Sequence, residues 1–93
     1  MVYDCIIIGG GIAGLQAAIQ LGRYQHKVLV LDDGKGRSSM CHCYHNLLGW
    51  PDGVSGDKLR SLGKEHALKL GVEIKGERVE TVERLDGVFG VKT

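Results

Sequence analysis

Residues 3–32 read YDCIIIGGGIAGLQAAIQLGRYQHKVLVLD, and the architecture of the chain follows from this stretch. Residues 2–8 are almost wholly apolar, with Cys5, Ile6, Ile7 and Ile8 leaving no polar alternation, as in a parallel strand covered on both faces. A central strand is expected, with Cys5 buried in it as a small hydrophobe. The run then breaks into GGGIAG, in which Gly9, Gly11 and Gly14 satisfy G-x-G-x-x-G. The three glycines act differently. Gly9 permits the tight turn, Gly11 lets backbone approach a pyrophosphate, and Gly14 lets a helix pack closely. Amides around Gly11 to Ala13 would point at phosphates from a helix N-terminus.

Beyond this turn, residues 12–24 are rich in good helix formers, and Leu15, Ala18, Ile19 and Gly22 share one face, toward a sheet. A second apolar run, residues 27–31, delivers Asp32, which stands 23 residues after Gly9. A carboxylate about 20 residues beyond the motif accepts hydrogen bonds from ribose hydroxyls. Asp33 is the less favoured candidate. A bare G-x-G-x-x-G is weak, since the glycines could serve only a tight turn; between an apolar strand and an alanine-rich helix, with the acid in place, it predicts adenine dinucleotide binding. Which dinucleotide stays open on these residues alone.

Composition bounds the rest. A 93-residue chain has room for one small domain that buries only about 60–65% of its unfolded surface, so stability without a ligand or partner is expected to be marginal. Net charge is +1 with acids and bases interleaved, which gives no electrostatic case for nucleic acid or membrane. Aromatic residues make up 5%, too few to advertise a base-stacking platform. No apolar stretch reaches the roughly 18–20 residues of a membrane span, and Asp4 argues against a signal peptide. A cytoplasmic protein is expected. Three cysteines do not form a secreted disulfide framework.

Residues 33–54 make a loop long for a compact domain. Its middle, Met40-Cys41-His42-Cys43-Tyr44-His45, offers soft and borderline ligands, yet Cys-x-Cys is too tight for a structural zinc knuckle and no second pair exists, so no metal site is assigned. A vicinal pair can form a strained disulfide, and a histidine can lower a thiol pKa. Cys41 and Cys43 are therefore redox candidates, set against a plainer reading as loop residues. Trp50-Pro51-Asp52-Gly53 reads as a turn and Ser55 as the N-cap of a second helix. Leu59, Leu62, His66 and Leu70 follow helical spacing beside Ala67, which makes His66 a core histidine rather than a ligand. Gly71 ends the helix. Residues 72–75 are a third parallel strand, and residues 78–85 and 88–92 form a hairpin at Asp86-Gly87. Val79 and Val82 break strict alternation, which predicts a bulge or bend near Glu80.

Four strings in one order, YDCIIIGGGIAGLQAAIQLGR, VLVLDDGKGR, HNLLGWPDGVSGDKL and KLGVEI, resemble the N-terminal portion of the low-molecular-weight thioredoxin reductase family and its flavoprotein relatives. The resemblance covers nearly the whole chain. It implies an α/β, Rossmann-like FAD/NAD(P)-binding fold, partial, with a parallel sheet and a C-terminal β-hairpin, and it makes the dinucleotide FAD. Gly9, Gly11, Ile12, Ala13 and Gly14 match the family turn that holds the FAD pyrophosphate, and Asp32 matches the acid that holds the adenosine ribose. Asn46 matches the asparagine of the N-x-P-G stretch near the flavin end, although the family proline is Leu48 here. Val79 matches the strand residue whose backbone meets the adenine. Gly34, Gly36, Arg37, Ser38 and Ser39 stand where the family winds beneath the isoalloxazine ring.

The family dithiol is C-x-x-C in a nicotinamide domain, or C-x-x-x-x-C in the larger reductases, and neither pattern is present. Residues 1–93 are accordingly expected to form a single incomplete FAD-binding domain of an NAD(P)H-dependent flavin oxidoreductase, meeting NAD(P)H only through regions absent here and not catalytically complete alone. The alternative is a stand-alone dinucleotide-binding or interaction module, a homodimer without catalysis.

Overall fold

The parallel sheet at the centre of the molecule is ordered by burial of its middle strand. The computed structural model describes residues 1–34 and 43–93. In chain order it contains β1 (Cys5–Ile8), α1 (Ile12–Arg23), β2 (Val28–Leu31), β3 (Cys43–Tyr44), β4 (Val54–Ser55), α2 (Gly56–Lys69), β5 (Glu73–Lys75), β6 (Thr81–Leu85) and β7 (Val88–Lys92). The sheet order is β1-β2-β5, with both pairings parallel: Cys5 stands beside Val28, Ile8 beside Leu31, and Leu31 beside Lys75. All four residues of β2 are buried, which is why VLVL shows no alternation.

Helices α1 and α2 cover one face. Ala18 and Ile19 of α1 and Ala67 of α2 pack with Val28, Val30 and Val72 into the core. The buried face of α1 is Leu15, Ala18, Ile19 and Gly22, as its spacing predicts. Gly22 packs against the residue that leads into β5, since a Cβ there would stand 3.0 Å from Val72 Cγ2. The Ser55 hydroxyl caps α2 by accepting from the Lys58 amide at 3.1 Å, and Gly71 turns the chain out with φ +85°.

Several expectations are corrected. The first strand is not central: β2 holds the middle and β1 lies at an edge of the sheet among the described residues, with Ile8 55% exposed. It starts at Cys5 rather than at residue 2, because its partner β2 supplies only four residues and the Asp4 carboxylate stops the run by accepting from the Lys27 amide at 2.7 Å. Cys5 is half-buried, not sealed in. The long loop is not free of regular structure: Cys43 and Tyr44 pair antiparallel with Ser55 and Val54. His66 is exposed rather than core, since the apolar stripe of α2 is wider than the surface α1 offers it. The C-terminal hairpin forms at Asp86-Gly87 as expected, but β6 begins at Thr81 rather than at residue 78, because the chain is irregular through Glu80, whose amide still donates to Lys92 O at 2.8 Å.

Every residue of β6 is exposed, and the hairpin stands off the sheet, leaving a groove of about 480 Å³ beside β1. The molecule measures 49 × 27 × 17 Å with a radius of gyration of 14.1 Å, against about 12 Å for a compact domain of this length. Among the described residues no helix is long and apolar enough to cross a membrane.

Candidate dinucleotide site

Because β1, β2 and β5 are parallel, their carboxyl ends share one edge of the sheet, and that is where ligands of open α/β folds sit. Gly9 leaves β1 with φ +103°, a left-handed conformation that only glycine adopts without cost, while its amide stays in the sheet by donating to Leu31 O at 2.7 Å. Gly11 caps α1 with an extended backbone and no side-chain cap bond, and no acid stands in the first turn. The opening amides of the helix therefore have no intrahelical acceptor and lie at its positive end, the arrangement that receives an anion. Ile12 and Ala13 lie on this turn, Ala13 exposed. Gly14 seats it: a Cβ would fall 2.1 Å from Gly9 O and 3.3 Å from Ile7 Cγ2.

Asp32 follows β2 directly, half-buried, its amide donating to Lys75 O at 3.1 Å. Its carboxylate lies against Gly10, where a Cβ would be 2.9 Å from Asp32 Oδ2. The glycine turn and the acid are thus brought into contact across 22 residues of chain. Gly10 is the residue that sequence reasoning missed: the motif treats its position as free, and the only signal was the unbroken run of three glycines.

Val79 is half-buried in the irregular segment 76–80 that continues β5 past the same edge. Gly76 opens that segment beside the Asp32 carbonyl, with a Cβ position 4.0 Å from it. Asn46 is held by a different piece of structure, exposed in the connection between β3 and β4. Cys43 is exposed on β3, and Gly53, at φ +89°, makes room for it: a Cβ there would lie 3.1 Å from Cys43 Sγ and 2.8 Å from His45 Nδ1. Cys41, Gly36, Arg37, Ser38 and Ser39 lie outside the described residues. Among the described residues no three His, Cys, Asp or Glu side chains are grouped to hold a metal ion.

This donor set fits the pyrophosphate and ribose of an adenine dinucleotide: open backbone at Gly9, helix amides on α1 without an intrahelical acceptor, and a carboxylate beside the turn. The chain is 32% identical over 93 residues to the thioredoxin reductase of Treponema pallidum (strain Nichols), covering 98% of this chain and 30% of that one. It is 37% identical over 83 residues to the thioredoxin reductase of Aquifex aeolicus (strain VF5), covering 86% and 26%. The solved structure of a thioredoxin reductase from Gloeobacter violaceus superposes with a TM-score of 0.89 at 28% identity, over 97% of this chain and 31% of that chain. The chain thus spans under a third of the length of these relatives. The sequence pattern of the pyridine nucleotide-disulphide oxidoreductases matches residues 3–93, and with the glycine turn and parallel sheet in place the chain belongs to that family, resembling its thioredoxin reductases.

Proposed function

We propose that residues 1–93 form the FAD-holding part of a thioredoxin reductase-like, NAD(P)H-dependent flavin oxidoreductase, as a single domain that does not complete the catalytic cycle by itself. The observation that carries this reading is the meeting of the glycine turn that opens α1 with the Asp32 carboxylate at one edge of the sheet. When bound, FAD supplies a ring that accepts a hydride and passes electrons to an acceptor. This chain's own residues hold the other end. Backbone amides of Gly11, Ile12, Ala13 and Gly14 donate to the pyrophosphate, Asp32 accepts from the adenosine ribose, and the backbone of Val79 meets the adenine. Asn46 serves the flavin end, and Cys41 and Cys43 remain redox candidates beside their plainer reading as loop residues. The thioredoxin reductases that resemble the chain support this reading.

The test is direct. Purified chain should be yellow, or should show a saturable thermal shift with FAD; colourless protein that FAD does not stabilise would reject the assignment. The groove between β1 and the hairpin favours a second reading, a module that self-associates without catalysis: Val2, Ile8, Val88 and Phe89 on its rim are 79%, 55%, 55% and 69% exposed, and an edge strand offers unpaired backbone. Sedimentation showing only monomer at high concentration would remove it.

A further inference from the structure

Helices α1 and α2 do not close completely on each other. Gly63 brings them together, since a Cβ there would stand 3.2 Å from Leu15 Cδ1, and beside that contact they leave a groove of about 250 Å³. Its apolar lining includes Leu15 and Ile19 of α1 and Leu59 and Leu62 of α2, with the Trp50 ring as its aromatic part. Leu15 and Ile19 are buried while Leu62 is 41% exposed, so the groove has an apolar floor and an open mouth. The Lys58 ammonium lies 5.3 Å from the centroid of the Trp50 ring, a cation held over the aromatic wall. Gln16 and His66 are the polar side chains of the lining, and among the described residues no acid lines it. The charge around it has one sign. Helix α1 carries no acid, and the two acids of α2 are paired with cations of their own helix, Asp57 with Arg60 and Glu65 with Lys69. Lys58 enters neither pair, which leaves its charge for a ligand.

We propose that this groove binds a small aromatic carboxylate, with the ring system against Trp50 and the aliphatic floor and the carboxylate on Lys58. A volume of about 250 Å³ lies below the roughly 300–1,000 Å³ that drug-sized ligands fill, which limits the occupant to one or two rings. Aliphatic and indole carbon gains from covering a flat apolar body. A cation with no acid beside it attracts an anion and repels an amine. The groove shares only Ile12 with the dinucleotide turn, so the proposal is independent of the function assigned to that turn.

Trp50 is the single tryptophan of the chain, so its indole N–H gives one signal of its own in a proton–nitrogen correlation spectrum of labelled protein. Titration of the 93-residue chain with naphthoate and with the neutral naphthamide, followed through that signal, tests the proposal. Naphthoate should shift it saturably, together with amides of α1 and α2, and should bind about fivefold more tightly than naphthamide, the upper end for an exposed ion pair. Lys58→Gln should remove that preference by weakening naphthoate alone. Leu62→Asp, which sets a charge in the apolar wall, should weaken both probes. Both substituted side chains are exposed, so the fold tolerates the changes. No shift of the Trp50 signal, equal affinity for the two probes, a preference that survives Lys58→Gln, or indifference to Leu62→Asp would each overturn the proposal. Shifts centred on Asp32 or on the C-terminal hairpin would overturn it as well, by placing the probe elsewhere.

Discussion

Gly14 carries the tightest steric demand in the turn, because any Cβ would lie 2.1 Å from the Gly9 carbonyl oxygen, and that oxygen is backbone that cannot rotate away. Gly14→Ala should destabilise the chain by about 2–3 kcal/mol, at the upper end of overpacking costs, read as a lower urea midpoint; an unchanged midpoint would show that α1 has room to shift. Gly9 is constrained differently, by its dihedral, with nothing within 4 Å of a Cβ. Asp32→Ala should weaken FAD binding by about 1–3 kcal/mol, measured by titration, and unchanged affinity would move the role to Asp33. A third residue reports at alkaline pH. Tyr3 donates to Glu73 Oε2 at 2.6 Å, and its pKa is raised chiefly by that hydrogen bond, then by desolvation and the carboxylate's charge. A proton held more tightly in the folded state stabilises it below the usual tyrosine value of about 10 and ceases to do so as pH rises through the folded pKa. Stability should therefore fall above pH ~10, and Tyr3→Phe should remove that part of the fall in a pH series of melting curves. Gly9, Gly11 and Gly14 were legible in the sequence because the motif fixes their spacing. The Gly10 contact was not, since its partner lies 22 residues away.

At the level of elements, local signals were sufficient wherever the stabilising contact is itself local. Ser55 lies three residues before the amide it caps, so its role was readable from the chain. Ser55→Ala should lower stability by about 1 kcal/mol in urea denaturation, and restoration by Ser55→Asp would confirm a cap rather than a packing effect. Asp86 and Gly87, at φ 27° and 87°, take the turn that two-residue hairpins prefer, and the hairpin followed. Strand rank did not follow. β1 and β2 both read as apolar runs, and only pairing decides that β2 is enclosed while β1 is an edge among the described residues. The β3–β4 pair is likewise invisible locally, being two residues on each side joined across a loop. The amino ends of the sheet are fastened by a contact of the same kind: Tyr3 reaches Glu73, and Lys27 Nζ lies 5.3 Å from the centroid of its ring.

For the molecule as a whole, small size and an elongated form make bound ligand a large share of stability. FAD at one hundred times its dissociation constant should contribute about 2.7 kcal/mol, enough to raise the melting temperature by roughly 10 °C or more in a domain of this size. No rise in a thermal-shift titration would contradict FAD binding. The chain spans about 30% of the Treponema relative, and purified 93-residue protein with FAD should not consume NADPH at a measurable rate. Substantial turnover, followed by absorbance, would show that the domain is catalytically sufficient.

Residue order alone was enough to specify the unit from residue 3 to residue 32, the capped second helix, the third parallel strand and the hairpin. Each is written in side chains that act on their own backbone within a few residues. The same order places an acid at the end of β2. Packing in three dimensions settled which strand is central, that Cys5 and His66 are not enclosed, that Cys43 joins a strand, and that Asp32 rests against Gly10. Those outcomes depend on which surfaces meet across many residues, and burial and contact are properties of the packed chain rather than of any short stretch of it.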